Sequence, residues 1–156
     1  MSRGPYQGYH LIAQLPPAPD GAERWSARTS EGASAEVILG DEKIEVWVNS
    51  LPSGGPWVPV HSGRDEDKVW ALIPDPHARN LLQLRPAPAP IAVAAAREVL
   101  IALDAMHQAG LHYGWLHPAG VGFDEAGRLR IRPLYHESPL ADPDGQPSGI
   151  ATDCWH

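Results

Sequence analysis

The sequence predicts an α+β fold in which short antiparallel strands precede one long helix. The chain has 17 prolines and 15 glycines among 156 residues, so its elements must be short and separated by many turns. One segment, residues 91–109, carries apolar residues at helical spacing with no internal proline or glycine. Hydrophobic residues make up 43% of the chain, which is enough for a buried core.

The first half of the chain contains five apolar segments that are typical of strands. They are residues 9–15, 22–28, 33–39, 57–61 and 69–74. Short connections between the first three favour antiparallel pairing. The charged run SGRDEDK, residues 62–68, is expected to form the tip of a hairpin between the last two strands.

The segment from residue 42 to residue 51 fits two structures. Alternate apolar residues from Ile44 to Val48 fit a strand, whereas Trp47 and Leu51 extend the apolar pattern at helical spacing. A short apolar run does not decide between these periods, so strand and helix both remain open here.

The second half of the chain begins with a stiff linker. Alternating prolines in RPAPAP favour an extended segment, which ends where the long helix begins. After the helix, two short strands at 121–123 and 128–131 flank the turn DEAG. We therefore expect three parts: a β domain at residues 1–84, a hinge at 85–90, and residues 91–156 with the helix, a loop, the short hairpin and a tail.

Charge and composition exclude several classes of function. With 12 basic and 19 acidic residues the net charge is −7, which argues against binding to nucleic acid or to anionic membranes. No apolar run approaches the roughly 20 residues of a membrane span, and the first ten residues lack the apolar segment of a secretory signal. The single cysteine, Cys154, excludes an intrachain disulfide and makes a reducing cytoplasm the simplest setting.

The stretch from Ala102 to Ile131 resembles the segment of bacterial Hanks-type serine/threonine protein kinases that joins a long helix to the catalytic loop. Met106 and His107 stand in place of the Leu-His pair that ends the helix, and Leu116 and Pro118 match the leucine and proline of the loop. The order of strands, linker, helix and hairpin also agrees. The resemblance implies a protein kinase-like fold, with a five-stranded antiparallel N-lobe and a truncated helical C-lobe.

The same resemblance places unsuitable residues at the catalytic positions of a kinase. Tyr113, Gly114 and Trp115 occupy the His-Arg-Asp positions, so an indole, which only donates a hydrogen bond, replaces the catalytic aspartate. Gly120 replaces an asparagine and Pro133 an aspartate, both of which would bind Mg²⁺. Neither glycine nor proline offers the side-chain oxygen that Mg²⁺ requires.

The nucleotide-binding positions are altered as well. The glycine-rich loop corresponds to PPAPDGA, residues 16–22, where three prolines lower the number of N–H groups available to phosphate. Glu36 stands where the third strand of a kinase carries its lysine, and a carboxylate repels phosphate. The resemblance therefore implies a pseudokinase without a cofactor, acting as a scaffold or regulatory module.

In a kinase, a later helix of the C-lobe covers the apolar side of the long helix. We expect a truncated C-lobe to leave this side without that cover. Val99, Leu100 and Leu103, together with Trp155, are expected to form a surface covered by another protein or by a second copy of this chain. Two other functions remain open. One is a kinase relative that binds a nucleotide or small ligand with relocated phosphate contacts, and the other is an α+β domain with an unrelated role.

Other chemistry-bearing residues do not form a recognisable motif. His107, His112 and His117 recur every five residues, which places them on different faces, so no metal site is predicted. Cys154 and His156 lack a third residue that would orient a nucleophile and its base. Trp115 either plugs the altered nucleotide cleft or packs within its own loop.

Overall fold

The computed structural model describes residues 6–52, 54–75, 79–80, 83, 88–108, 120–133 and 135. The elements in this part of the chain are β1 (His10–Leu15), β2 (Glu23–Arg28), β3 (Ser34–Gly40), α1 (Glu42–Ser50), β4 (His61–Asp65), β5 (Lys68–Pro74), β6 (Arg79–Asn80), α2 (Ala89–Gln108), β7 (Val121–Phe123) and β8 (Leu129–Ile131). They fall into two compact units. The first contains β1 to β5, α1 and Tyr135, and the second contains β6 to β8, α2 and Trp57.

The first unit is built on a five-stranded sheet in the order β1-β2-β3-β5-β4. Every neighbouring pair is antiparallel, which confirms the predicted sheet. The central strand β3 is covered on both faces, since Ile38 points to one side and Val37 and Leu39 to the other, all at most 2% exposed.

The ambiguous segment is a helix, α1, packed on one face of this sheet. Its first turn is capped by Asp41, whose carboxylate accepts the backbone N–H of Lys43 at 2.9 Å. Ile44 is fully buried while Val46 is 69% exposed. A strand would place these two side chains on the same face, so their burial follows the helical period.

The fourth strand differs from the prediction of residues 57–61. β4 spans His61–Asp65, so the charged run forms strand rather than a long hairpin tip, and Glu66 takes a positive φ of 53° in the short turn before β5. Charged side chains suit a strand at the sheet edge because they face water. Trp57 instead bridges to Ile131 in the second unit.

The second unit packs α2 against the β7–β8 hairpin, and both elements lie within two residues of their predicted positions. The helix starts two residues before the prediction and includes Pro90, which is tolerated in the first turn because the N–H it lacks has no partner there. The two-residue strand β6, which was not predicted, pairs with β7. The core consists of Trp57, Ala95, Val99, Ala102, Leu103, Met106, Val121, Leu129 and Ile131. Neither α1 nor α2, the helices of the described chain, has the length and apolar character needed to cross a bilayer.

Candidate functional site

The candidate site is the face of the five-stranded sheet that α1 covers. The β1–β2 turn folds onto this face, and the buried residues that meet there are Ala18, Ala22, Ile38, Ile44, Val69, Ala71, Ile73 and Tyr135. This turn holds the position that the kinase resemblance assigns to the glycine-rich loop.

The β1–β2 turn uses its own backbone N–H groups. Ala18 donates to the Ala22 carbonyl at 3.0 Å and Gly21 donates to the Ala18 carbonyl at 2.8 Å. The N–H of Ala22 donates to Oδ1 of Asp20 at 3.0 Å. A phosphate-binding loop directs such groups toward its anion, whereas these three N–H groups are already paired within the turn.

Tyr135 occupies the space between this turn and α1. Its side chain is 7% exposed and its hydroxyl donates to Oδ2 of Asp20. Its ring meets Trp47 of α1 edge-on, with ring centroids 5.1 Å apart. Tyr135 lies two residues after Pro133, the position that the resemblance assigns to an Mg²⁺-binding aspartate, and nothing in its spacing indicated that it packs on the sheet. Trp115, for which the sequence left open either plugging the cleft or packing within its own loop, lies outside the described residues.

Glu36 lies on the same face of β3 and is paired with an arginine. Its carboxylate oxygen Oε1 accepts Nε of Arg24, on β2, at 2.6 Å. The hydrogen bond to Glu36 raises the pKa of the Arg24 guanidinium above its usual value. Arg24 also reaches the carbonyl of Pro16 at 3.4 Å, which ties the ion pair to the start of the turn. The position expected to carry a lysine therefore carries a carboxylate engaged with a neighbouring strand.

The two lysines of the chain lie elsewhere. Lys68 binds Glu23 at 2.6 Å on the opposite face of the sheet, the face that Trp70 shares. Lys43 is exposed in the first turn of α1. The next residue of β3 on the α1 face after Glu36 is Ile38. An alignment to kinases shifted by two positions therefore still places no lysine on this face.

The predicted positions Gly120 and Pro133 come together at the open end of the β7–β8 hairpin. Gly120 precedes β7 and Pro133 follows β8, and the N–H of Arg132 donates to the Gly120 carbonyl at 2.6 Å. Both residues are buried. The hairpin thus brings together the two positions that would bind Mg²⁺ in a kinase, and neither offers a side-chain oxygen.

The predicted partner surface on α2 is only partly exposed. Val99 and Leu103 are 7% and 4% exposed because they pack in the core against the β7–β8 hairpin, whereas Leu100 is 62% exposed. The exposed large apolar residues of α2 are Ile91, Val93, Leu100 and Ile101, so Leu100 alone of the three predicted helix residues lies at the surface.

Several residues named from the sequence lie outside the described part of the chain. They are His112, Tyr113, Gly114, Trp115, His117, Cys154, Trp155 and His156. Within the described residues, no three His, Cys, Asp or Glu side chains converge as a metal site requires.

Comparison with known proteins identifies the fold. The crystal structure of the kinase domain of PknI from Mycobacterium tuberculosis, a double mutant, matches with a TM-score of 0.61 and 17% sequence identity. The match covers 98% of this chain and 73% of that chain. No family model and no curated protein matches the sequence. The chain therefore has a protein kinase-like fold, as the resemblance predicted.

Proposed function

We propose that this chain is a kinase-like scaffold or regulatory module that does not catalyse phosphoryl transfer and acts through protein–protein interaction. The observation that carries the proposal is the position of Tyr135. Its ring is buried between the β1–β2 turn and α1, and its hydroxyl donates a hydrogen bond to Asp20. A side chain anchored there competes with a nucleotide for the α1 face of the sheet.

The chemistry of the surrounding residues supports this function. Phosphoryl transfer relies on a lysine at the phosphates and on Mg²⁺ ligands that neutralise the developing charge. In this chain a carboxylate, Glu36, stands where a kinase has its lysine, and it is paired with Arg24. Gly120 and Pro133 stand at the Mg²⁺-binding positions, and their side chains supply no oxygen ligand. The single cysteine favours the cytoplasm as the setting of this role.

The proposal predicts that Mg²⁺ and ATP do not stabilise the protein. A ligand at 100 times its Kd adds about 2.7 kcal/mol to the free energy of unfolding. We therefore expect an unchanged melting temperature in a thermal-shift titration that reaches millimolar ATP with Mg²⁺.

A saturable rise in melting temperature contradicts the proposal and favours the nucleotide-binding relative instead. The variant Glu36→Gln serves as a control, because a genuine site on the α1 face responds to the loss of this charge. Transfer of radiolabelled phosphate to a protein substrate, abolished in the same variant, contradicts the proposal independently.

A further inference from the structure

The side of α2 that faces away from its core carries an apolar surface. Val93, Leu100 and Ile101 are 68%, 62% and 58% exposed on this helix. They line a shallow groove with Ala96, Arg97 and Asp104, and we call these six residues the α2 groove. Adjacent large apolar side chains at a protein surface mark a contact site.

Two opposite charges lie symmetrically within the α2 groove. Arg97 and Asp104 are seven residues apart, which is about two helical turns, so they share one side of the helix. The midpoint between them falls between Leu100 and Ile101, the centre of the apolar surface. In the described part of the chain Arg97 has no ion-pair partner, and Asp104 accepts a hydrogen bond from Gln108 at 2.8 Å.

We propose that the α2 groove binds the α2 groove of a second copy, with the two helices antiparallel. A two-fold axis between Leu100 and Ile101 brings Arg97 of each copy to Asp104 of the other, so that two ion pairs form around an apolar centre. Such a self-complementary patch is what a two-fold interface requires. The inference rests on the proposed role in protein interaction and names the partner.

The charge pattern favours a second copy over an unrelated protein. A rotation by 180° about the proposed axis brings each charge of the patch opposite a charge of the other sign. The patch is therefore complementary to an identical copy of itself. The ion pairs fix the antiparallel orientation while apolar burial supplies the affinity.

The expected dimer is weak and depends on concentration. A helix of 20 residues is about 30 Å long, so one pair of such helices buries less than the roughly 1,200 Å² of a stable complex. We expect dissociation in the micromolar range, measured by sedimentation velocity on the whole chain across a concentration series.

Charge reversal with complementation tests the arrangement. Arg97→Glu and Asp104→Arg each place like charges opposite each other in a homodimer, so each weakens self-association by about tenfold or more. An equimolar mixture of the two variants restores it, because both contacts of the mixed dimer then join opposite charges. One contact is the native pair of Arg97 and Asp104, and the other joins the two substituted positions with reversed polarity. The control Glu98→Lys changes an exposed charge outside the groove on the same helix and leaves self-association unchanged. Far-UV circular dichroism verifies that each variant is folded.

A cross-linking experiment locates the two-fold axis. In a Cys154→Ser background, Ile101→Cys forms an intermolecular disulfide rapidly under mild oxidation, whereas Glu98→Cys does so much more slowly. Equal rates for the two variants overturn the proposed orientation.

Three results overturn the proposal: a monomer at every concentration, a dimer insensitive to both charge reversals, or a mixture that associates no better than its components. A monomer in which Leu100→Asp lowers stability indicates that a segment of the same chain covers the groove. These readouts do not involve nucleotide, so failure of the dimer leaves the ATP titration as a separate test of the proposed function.

Discussion

At the scale of single residues, Asp20 and Tyr135 explain how the turn is held on the sheet. Oδ1 of Asp20 accepts the N–H of Ala22 within the turn, and Oδ2 accepts the hydroxyl of Tyr135. A largely buried tyrosine needs a partner for its hydroxyl, and a carboxylate is a strong one. One carboxylate thus shapes the turn and anchors a residue that is distant in the sequence.

We expect Tyr135→Phe to lower the free energy of unfolding by about 1.5–3 kcal/mol, the range for hydrogen bonds to charged groups. Chemical denaturation monitored by fluorescence measures the change. The matched control is Tyr9→Phe, since the hydroxyl of Tyr9 makes no hydrogen bond in the described part of the chain although its ring packs on the core. Equal losses for the two variants contradict the role given to the Asp20 contact.

At the scale of elements, the β7–β8 hairpin depends on the carboxylate of Asp124. It accepts the backbone N–H groups of Ala126 and Arg128, each at 2.9 Å, while Gly127 adopts a φ of 77° that completes the turn. The hydrogen bond from the Arg128 N–H is the main cause that lowers the pKa of Asp124 below its ordinary value of 3.8.

This lowered pKa gives the hairpin a pH dependence of known sign. The folded state favours the charged carboxylate, so its stabilisation is complete above the ordinary value of 3.8 and is lost as the pH falls through the lowered folded value. We expect the amides of Ala126 and Arg128 to lose hydrogen-exchange protection over that acid range, measured by NMR.

Two variants separate this effect from general acid unfolding. Asp124→Asn retains an acceptor oxygen but cannot titrate, so we expect the loss of amide protection at acid pH to disappear in this variant. Glu125→Gln, at an exposed position of the same turn, leaves that loss in place. If Asp124→Asn loses amide protection over the same pH range as the unmodified chain, the pH dependence belongs to another group.

The elements also show where pattern reasoning reaches its limit. The long helix and the β7–β8 hairpin follow from local spacing, and both lie close to their predicted positions. The helix α1 was undecided because its apolar residues satisfy two periods, although the helix-capping residue Asp41 was a usable signal. β4 was misplaced because its charges suggest a loop, and only pairing with β5 makes that segment a strand.

At the scale of the whole molecule, each compact unit has its own hydrophobic core. Ile38 is 0% exposed in the first unit and Ile131 is 0% exposed in the second, and the clusters around them share no residue. Each unit therefore has the apolar burial that cooperative folding requires.

We expect mutations in the two cores to act on different units. Ile38→Ala and Ile131→Ala each remove buried methyl groups, and we expect each to cost about 2–5 kcal/mol. Native-state hydrogen exchange detects where protection falls: in β2, β3 and β5 for Ile38→Ala, and in α2, β7 and β8 for Ile131→Ala. Uniform loss across the chain in both variants indicates one cooperative body instead.

The sequence named altered kinase positions but indicated neither Tyr135 nor the contacts that form the candidate site. Glu36, Gly120 and Pro133 were named because a resemblance in linear order assigns positions without coordinates. The pairing of Glu36 with Arg24 and the packing of Tyr135 join residues that are far apart in sequence, and no local pattern encodes such contacts.

The sequence alone determined the antiparallel β region, the long helix after it and the short hairpin that follows. These depend on turn residues and on apolar periodicity, which act over a few neighbouring residues. Tertiary structure alone decided that Val99 and Leu103 are buried while Leu100 remains exposed. A helix with apolar residues on several sides does not specify which side packs, because burial depends on the strands that the rest of the chain brings against it.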